Sequence, residues 1–246
     1  MKILVVITTA FTSTGGLTTV MMNYYRAMNK EGLKIDFAST NVPSQSLLDE
    51  IHVEGSEYYQ LPPRKKIVSY FYRLRRLCKN YDLLHVHGNS STSVLELMAA
   101  NWAGVKRRIV HNHTSRSQHP WINLLLHPFF LMSYTKAIAC SDAAGEWLFG
   151  NKQYQILRNA IKVSCFHYDV SVRQQIRQLL GISDSTFLVG HVGKFMDAKN
   201  HPFVIAVFAE IHRLIPNSKL LLVGDGPLRG MVETAVKNLH VEDCVI

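Results

Sequence analysis

Short apolar runs alternate with segments of helical period along most of the chain. The apolar runs fall at 1–7, 33–38, 83–86, 108–111, 137–140, 154–157, 187–192 and 220–223. Segments with apolar residues at helical spacing lie near 17–28, 93–103, 142–149, 171–180 and 228–239. Alternation of this kind is typical of parallel sheets covered by helices on both faces. We therefore predict an α/β fold built from doubly wound parallel sheets.

The same pattern predicts where the chain divides. The alternation lapses over 162–172, and a second series of strands and helices follows. We predict two Rossmann-like domains, 1–165 and 166–246. The second holds a βαβ unit over 186–227 and ends at 243–246 in residues that resemble the start of a strand. Because so few strands leave sheet edges and helix faces uncovered, we expect this domain to be incomplete.

Two lysines mark the first loop of the βαβ unit as a candidate phosphate site. Lys194 and Lys199 flank this loop at the predicted start of a helix, with Asn200 as its candidate N-cap and Pro202 in its first turn. Unpaired N–H groups and the positive end of the dipole favour an anion at a helix start. A solvated loop with two lysines is the alternative, and the buried strand that ends in Gly193 favours phosphate.

Glycines follow strands at two further places. Gly15-Gly16 separates the first strand from the first helix, where a backbone without side chains can approach a ligand closely. Gly224-Asp225-Gly226 follows the run at 220–223, and Pro227 is expected to open the next helix. Gly32 is expected to end the first helix. The alternative interpretation of each glycine pair is a flexible turn that contacts no ligand.

Two histidine pairs, His85/His87 and His111/His113, each close a strand. Spacing of i, i+2 puts both members of a pair on one face. No carboxylate or cysteine stands beside them at zinc-site spacing, so we predict no bound metal. A histidine at the carboxyl end of a strand can instead orient a hydroxyl or a sugar ring.

Composition and charge bear on the class of partner and on the compartment in which the protein works. The formal net charge is +9 and the pI about 9.4, which favours an anionic partner: a nucleotide, a nucleic acid or an acidic membrane surface, among which composition does not choose. Four cysteines without C-x-x-C spacing suit a reducing cytoplasm. The apolar stretch 121–132 is interrupted by His127-Pro128 and is too short to span a bilayer, so no transmembrane segment is predicted.

The segment 64–77 predicts a basic amphipathic helix, since Arg64, Lys65, Lys66, Arg73, Arg75 and Arg76 alternate with apolar residues. Such a helix can lie on anionic lipid. More commonly it packs on its own sheet with a basic outer face, and we favour that arrangement.

Taken in order, these segments resemble the retaining glycosyltransferases of family 4, in particular the bacterial capsular and exopolysaccharide enzymes. The resemblance implies a GT-B-like fold and transfer of a sugar from a nucleotide-diphosphate sugar, with a UDP-sugar as donor, to a glycan or lipid-linked acceptor. The segments that carry the resemblance are Gly15-Gly16, 81–91, 111–114, 139–142, 158–161, 190–194, 199–201 and 223–228.

The resemblance also implies roles for individual residues, and no cofactor. Lys194, where the family usually has arginine, and Lys199 neutralise the diphosphate of the leaving nucleotide, and His113 lies near the transferred sugar. The donor and phosphate contacts are Gly15, Gly16, Lys194, Lys199, Gly224, Asp225 and Gly226. The acceptor side is formed by His87, Asn89 and Arg116.

One departure qualifies the expected activity. The family's pair of glutamates, separated by seven residues, would follow residue 246, so we expect weak or absent turnover from this chain. Two alternatives stay open: a non-catalytic remnant or partner subunit that binds acceptor or membrane, and an unrelated nucleotide-binding enzyme. The last is disfavoured because no G-x-G-x-x-G follows the first strand. We expect a cytoplasmic protein, peripheral at the inner face of the membrane, that binds no nucleic acid.

Overall fold

The computed structural model describes residues 1–117 and 119–246, which form two compact units, Met1–Cys165 and Phe166–Ile246. The strands of these residues are β1 (Lys2–Ile7), β2 (Lys34–Ser39), β3 (Tyr58–Gln60), β4 (Leu83–Gly88), β5 (Arg107–Asn112), β6 (Lys136–Ala139), β7 (Gln155–Ile156), β8 (Phe187–Val192) and β9 (Ser218–Val223). The helices are α1 (Gly16–Ala27), α2 (Gln45–Val53), α3 (Ile67–Cys78), α4 (Val94–Trp102), α5 (Pro120–Ser133), α6 (Asp142–Phe149), α7 (Val170–Leu179), α8 (His201–Leu214) and α9 (Arg229–Asn238). The α/β class predicted from the sequence is confirmed.

The first unit is a seven-stranded sheet in which every neighbouring pair of strands is parallel, in the order β3-β2-β1-β4-β5-β6-β7. The strand order reverses between β1 and β4. At such a switch point the connections leave in opposite directions and open a crevice at the carboxyl ends of the strands, where open α/β sheets bind their ligands. The carboxyl ends of β1, β4 and β5 are therefore the first place to look for a site.

Two apolar clusters hold the helices to the two faces of this sheet. On one face, α3 to α6 pack on β-strand residues such as Leu4, Val86 and Val110. On the other face, α1 and α2 pack on Val5 and Phe37 among others. The alternation of apolar residues along each strand supplies both faces, as expected for a sheet that is covered on both sides.

The second unit contains α7, α8, α9 and a two-stranded parallel sheet of β8 and β9. Its core includes Ile205, Phe208, Leu220 and Val232. After a 3₁₀ turn at Glu242–Cys244, Val245 makes a parallel bridge to Leu220. A further strand therefore starts to pair at 245, within the segment predicted to begin one.

The sequence pattern missed α2, β3 and α5. Helix α5 covers the apolar stretch 121–132, which was predicted to be interrupted at His127-Pro128, because Pro128 lies inside the helix without ending it. Proline removes one backbone hydrogen bond, but burial of the next turn through Phe130, which is fully buried, offsets that loss. In the described part of the chain, no helix has the length and apolar character required to cross a membrane.

Three predicted helix ends differ in detail. Helix α1 ends at Ala27, and Gly32 instead lies in the following turn with φ of 69°. Helix α9 begins at Arg229, so Pro227 lies in the turn before it. Asn200 does occupy the N-cap of α8, but in a left-handed conformation and without a capping hydrogen bond from its side chain. A backbone with φ of 46° turns that side chain away from the extended geometry that N-capping uses.

Arg64 lies before α3 and is paired with the protein interior, which corrects its place in the predicted basic helix. Its guanidinium lies 3.0 Å from the Oε1 of Glu96, a side chain with no exposed surface. The Tyr70 hydroxyl donates to the same oxygen at 2.7 Å. This network joins the segment before α3 to α4.

Replacing Glu96 with glutamine should lower the free energy of unfolding by about 2 kcal/mol, because Arg64 and the buried Tyr70 hydroxyl lose a charged acceptor. The full penalty of a buried pair is not expected, since Arg64 is partly exposed and can hydrate. Urea unfolding measures the change. The matched variant Glu146→Gln, on α6, should unfold like the wild type, and equal effects of both variants would contradict the role of the network.

Candidate functional site

Four histidines form one cluster on the sheet face toward which β1 presents Val5 and Ile7. His85 and His87 lie on β4, His111 is the register partner of His87 on β5, and His113 follows β5. The Nδ1 of His87 lies 2.9 Å from the Nε2 of His113, so one ring donates a hydrogen bond to the other. The His85 and His111 rings are stacked, 5.8 Å between centroids. We call these four residues the histidine cluster.

Burial keeps the histidine cluster neutral. Desolvation lowers the pKa of His85 to about 4, of His111 to about 2 and of His113 to about 4. It also lowers the pKa of His87 well below its ordinary value, and the neighbouring imidazoles add to the effect. A charged imidazolium would face both a low dielectric and three like groups. Neutral imidazole can accept or donate one hydrogen bond per ring, as orientation of a sugar hydroxyl requires.

Among the residues that the structure describes, several ring nitrogens of the histidine cluster have no hydrogen-bond partner. These are Nε2 of His85 and both nitrogens of His111, all of them buried. One nitrogen each of His85, His87 and His111 lies within 4.8 Å of the others, which is an arrangement that could hold a metal ion. The sequence spacing alone did not reveal this convergence, because it arises from the pairing of β4 with β5.

The loop that carries His113 is fixed by Asn112. The buried Asn112 amide donates to the carbonyl oxygens of Thr114 and Ala144, both at 2.7 Å. The loop is therefore tied both to itself and to α6. Arg116, the predicted acceptor-side cation, lies beyond this anchor and is exposed. No role for Asn112 was predicted from the sequence, and the signal that could have revealed one is an amide side chain at the end of a buried strand.

Asn89 lies at the same edge, directly after β4. Its side chain is half-buried, and Oδ1 is buried with no hydrogen-bond partner in the described part of the chain. The preceding Gly88 is required by packing, because a Cβ there would lie 2.1 Å from the Ser93 hydroxyl. The 3₁₀ turn at Ser91–Ser93 is thus held against β4 beside Asn89.

The glycines before α1 differ from each other. At Gly15, a Cβ would lie 3.1 Å from the Thr12 hydroxyl, so the local fold itself limits the side chain. At Gly16, the first residue of α1, nothing lies within 4 Å of a Cβ, and the φ angle imposes no requirement for glycine. Packing within the described chain therefore does not explain Gly16. The space beside it is free at the start of a helix, where unpaired N–H groups favour an anion or a hydroxyl.

In the second unit, the loops after β8 and β9 are paired through their backbones. The Gly193 N–H donates to the backbone carbonyl oxygen of Val223 at 3.0 Å, and the Phe195 N–H donates to the backbone carbonyl oxygen of Asp225 at 3.0 Å. A Cβ on Gly224 would lie 2.1 Å from the carbonyl oxygen of Gly193. Loop pairing therefore suffices to explain this glycine.

Gly226 and Asp225 belong to the same loop. A Cβ on Gly226 would lie 2.5 Å from the carbonyl oxygen of Phe195, so it too is required by packing. The exposed Asp225 carboxylate accepts from the Gly226 N–H at 2.8 Å and faces Arg229 at 3.9 Å. The predicted contacts of these residues with a donor stay predictions.

Lys194 and Lys199 lie together at this edge, and both are exposed. The Cγ and Cδ atoms of Lys199 lie 3.4 Å from the position of a Cβ on Gly193, so its stem crosses the residue before Lys194. Beneath them, His201 is buried against Phe195, with 4.4 Å between ring centroids. Two exposed lysines ahead of α8 make a cationic edge suited to a diphosphate.

The structure thus gathers the predicted residues into two groups, one in each unit. Gly15, Gly16, His87, Asn89 and His113 lie at the carboxyl edge of the seven-stranded sheet. Lys194, Lys199, Gly224, Asp225 and Gly226 lie at the carboxyl edge of β8 and β9.

The pattern that defines Glycosyltransferase Family 4 matches residues 14–162. This chain belongs to glycosyltransferase family 4. The match begins at the Gly15-Gly16 loop and includes every member of the histidine cluster. The alternative of an unrelated nucleotide-binding enzyme is thereby excluded.

Two named relatives are similar in sequence to most of this chain. EpsF of Bacillus subtilis, which is named as a glycosyltransferase, is 27% identical over 92% of this chain and 63% of its own length. N-acetyl-alpha-D-glucosaminyl L-malate synthase of Bacillus anthracis is 27% identical over 97% of this chain and 66% of its own length. The chain therefore spans just under two thirds of these relatives.

Solved structures agree on the fold. Anabaena HepE, in complex with UDP and glucose, superposes with a TM-score of 0.78 at 19% identity, over all of this chain and 68% of that one. At such identity the likeness establishes the fold alone, and it confirms the GT-B-like α/β architecture.

Proposed function

We propose that this family 4 chain takes part in transfer of a sugar from a UDP-sugar to a glycan or lipid-linked acceptor in cell-surface polysaccharide synthesis, with retention of anomeric configuration. The observation that carries the proposal is the edge formed by Gly16, His87 and His113 at the switch point of the sheet. The start of α1 and a neutral imidazole pair lie at this same edge of the sheet, and such groups suit hydroxyl-rich ligands.

The two groups of residues have complementary chemical tasks. Cleavage of the bond between the anomeric carbon and the phosphate oxygen leaves negative charge on the diphosphate, and in this proposal Lys194 and Lys199 balance that charge. His113, held by His87, orients the transferred sugar, while Asn89 and Arg116 contact the acceptor. The complex of HepE with UDP and glucose supports a uridine donor.

The direct test is a screen of UDP-, GDP- and dTDP-sugars against short glycan and polyprenyl-diphosphate-linked acceptors, with product analysis by mass spectrometry. We expect transfer or slow donor hydrolysis with a UDP-sugar only, and NMR of the product should show the anomeric configuration of the donor. Inversion would overturn the retaining assignment. Donor binding without any transfer, together with co-purification of a second glycosyltransferase, would favour a partner subunit.

Replacing Gly16 with alanine should separate stability from function. Alanine is the better helix former and the Cβ meets nothing within the chain, so the melting temperature should stay level or rise slightly. Donor or acceptor binding should weaken about tenfold, because the methyl group takes space proposed for the ligand. Gly230→Ala, at another helix start with open surroundings, is the matched control. Unchanged binding by Gly16→Ala would remove this loop from the site.

We further propose that the reaction needs no bound metal, since the lysines supply the positive charge. Treatment with EDTA followed by gel filtration should leave donor binding unchanged within twofold, as measured by calorimetry. Loss of binding that Zn²⁺ or Mn²⁺ restores would contradict this, and a matching loss in His111→Leu would place that metal in the histidine cluster.

A further inference from the structure

Helix α5 exposes many of its apolar side chains, whereas a surface helix usually buries them. Its fourteen residues carry no Asp, Glu, Lys or Arg, and Trp121, Leu125 and Met132 are 82%, 71% and 75% exposed. They follow one another at helical spacing of four and seven residues and form one stripe. Leu124 and Phe129 widen it, at 66% and 56% exposed.

The polar side chains of α5 are used within the protein. The Asn123 amide oxygen accepts from the Ser91 N–H at 2.8 Å, and a His127 ring nitrogen lies 2.9 Å from the Leu148 carbonyl oxygen. The Ser133 hydroxyl donates to a carbonyl oxygen one turn earlier, also at 2.8 Å. The rotational setting of α5 is therefore fixed by hydrogen bonds, and this setting presents the apolar stripe outward.

The neighbouring helices extend this surface and add positive charge. Helix α4 packs between α3 and α5 and exposes Trp102, whose ring contacts Phe71 of α3 at 5.3 Å. Helix α3 exposes Tyr72 together with the basic Arg73 and Arg76. The only acidic residue of the three helices is Glu96, which is buried beside Arg64. We call the exposed residues of α3, α4 and α5 the outer helix surface.

We propose that the outer helix surface docks on a lipid bilayer that carries anionic headgroups. The stripe of α5 enters the boundary between headgroups and acyl chains, and the arginines of α3 pair with lipid phosphates. Fourteen helical residues span about 21 Å, too short to cross the hydrocarbon core, so the helix lies in the plane of the interface. Docking of this surface does not depend on the proposed transfer reaction.

Charge decides between a bilayer and a second copy of this chain. A two-fold interface would bring the outer helix surface against itself and place arginines opposite arginines without acidic partners. An anionic bilayer offers both an apolar phase and the opposite charge. Docking would also bring the carboxyl edge of the sheet near the membrane, since α5 starts at Pro120, shortly after His113.

The test is co-sedimentation of the 246-residue protein with vesicles of phosphatidylglycerol and phosphatidylcholine, alone and mixed. We expect binding to vesicles that contain phosphatidylglycerol, weakened by NaCl, with a blue shift of tryptophan emission from Trp121. Leu125→Asp and Phe129→Asp should each weaken binding at least about tenfold. Val53→Asp, equally apolar and exposed but at the end of α2, should bind like the wild type.

A second pair of variants tests the charge. Arg73→Gln with Arg76→Gln should reduce both the affinity and its salt dependence, whereas Lys162→Gln with Lys237→Gln removes two exposed charges elsewhere and should change neither. Circular dichroism and the melting temperature confirm that each variant is folded. The proposal would be overturned if the wild-type protein bound none of the vesicles. It would also be overturned if the protein formed a dimer without lipid and Leu125→Asp made that dimer dissociate. Equal binding to phosphatidylcholine alone would overturn the role of the arginines.

Discussion

Replacing Lys194 and Lys199 together with alanine should weaken UDP binding about 100-fold, and either replacement alone about tenfold. Each lysine offers a charge-assisted hydrogen bond to a diphosphate, and loss of roughly 1.5 kcal/mol corresponds to a factor of ten. The stem of Lys199 passes close to Gly193, the residue before Lys194, so the two exposed lysines belong to the same loop edge. Isothermal titration calorimetry with UDP, at low and moderate salt, measures the loss.

Lys194→Arg and Lys237→Ala are the informative companions. Arginine keeps the charge and adds a planar fork that can contact two phosphate oxygens, so Lys194→Arg should bind UDP as tightly as the wild type or more tightly. Lys237 is an exposed lysine on α9 and should be replaceable without effect on binding. If Lys237→Ala weakens binding as much as Lys194→Ala does, the lysines act through net charge and not through a site.

The local pattern of the sequence predicted the strands well, because each strand end is fixed by the residues themselves. The run at 187–192, for example, coincides with β8. Helix α5 was not predicted, for two reasons. Its residues are apolar on nearly every side, which removes the periodic signal, and Pro128 ordinarily breaks a helix. Only tertiary packing through Phe130 shows that the helix continues.

The composition of the site was less predictable than its location. Spacing placed the two members of each histidine pair on one face, but the meeting of His87 with His111 depends on β4 pairing with β5, a long-range fact. Gly224 and Gly16 show the converse limit. In the sequence both are glycines that follow strands. At Gly224 the space that a Cβ would need is occupied by the backbone of Gly193, whereas at Gly16 that space is open.

Lowering the pH from 7 to 5 should destabilise the first unit strongly through the histidine cluster. Unfolded histidine has a pKa near 6.5, whereas burial lowers the pKa of all four side chains in the folded protein, to about 4 for His85 and His113. Above pH 6.5 both states are neutral and the cluster contributes no pH dependence. Below it only the unfolded chain gains protons, so stability falls with pH, by about 2 kcal/mol for each histidine at pH 5.

His111→Leu isolates this effect, because it removes a buried ring whose two nitrogens are unpaired among the described residues and whose pKa burial lowers to about 2. All three tryptophans, Trp102, Trp121 and Trp147, lie in the first unit, so their fluorescence follows its unfolding. The variant should equal or exceed the wild type at pH 7.5, since no buried polar nitrogen is then left unpaired at this position. It should also lose less of its melting temperature by pH 5. His52→Ala, at an exposed position on α2, should follow the wild-type profile, and a wild-type profile for His111→Leu would show that acid acts on the first unit elsewhere.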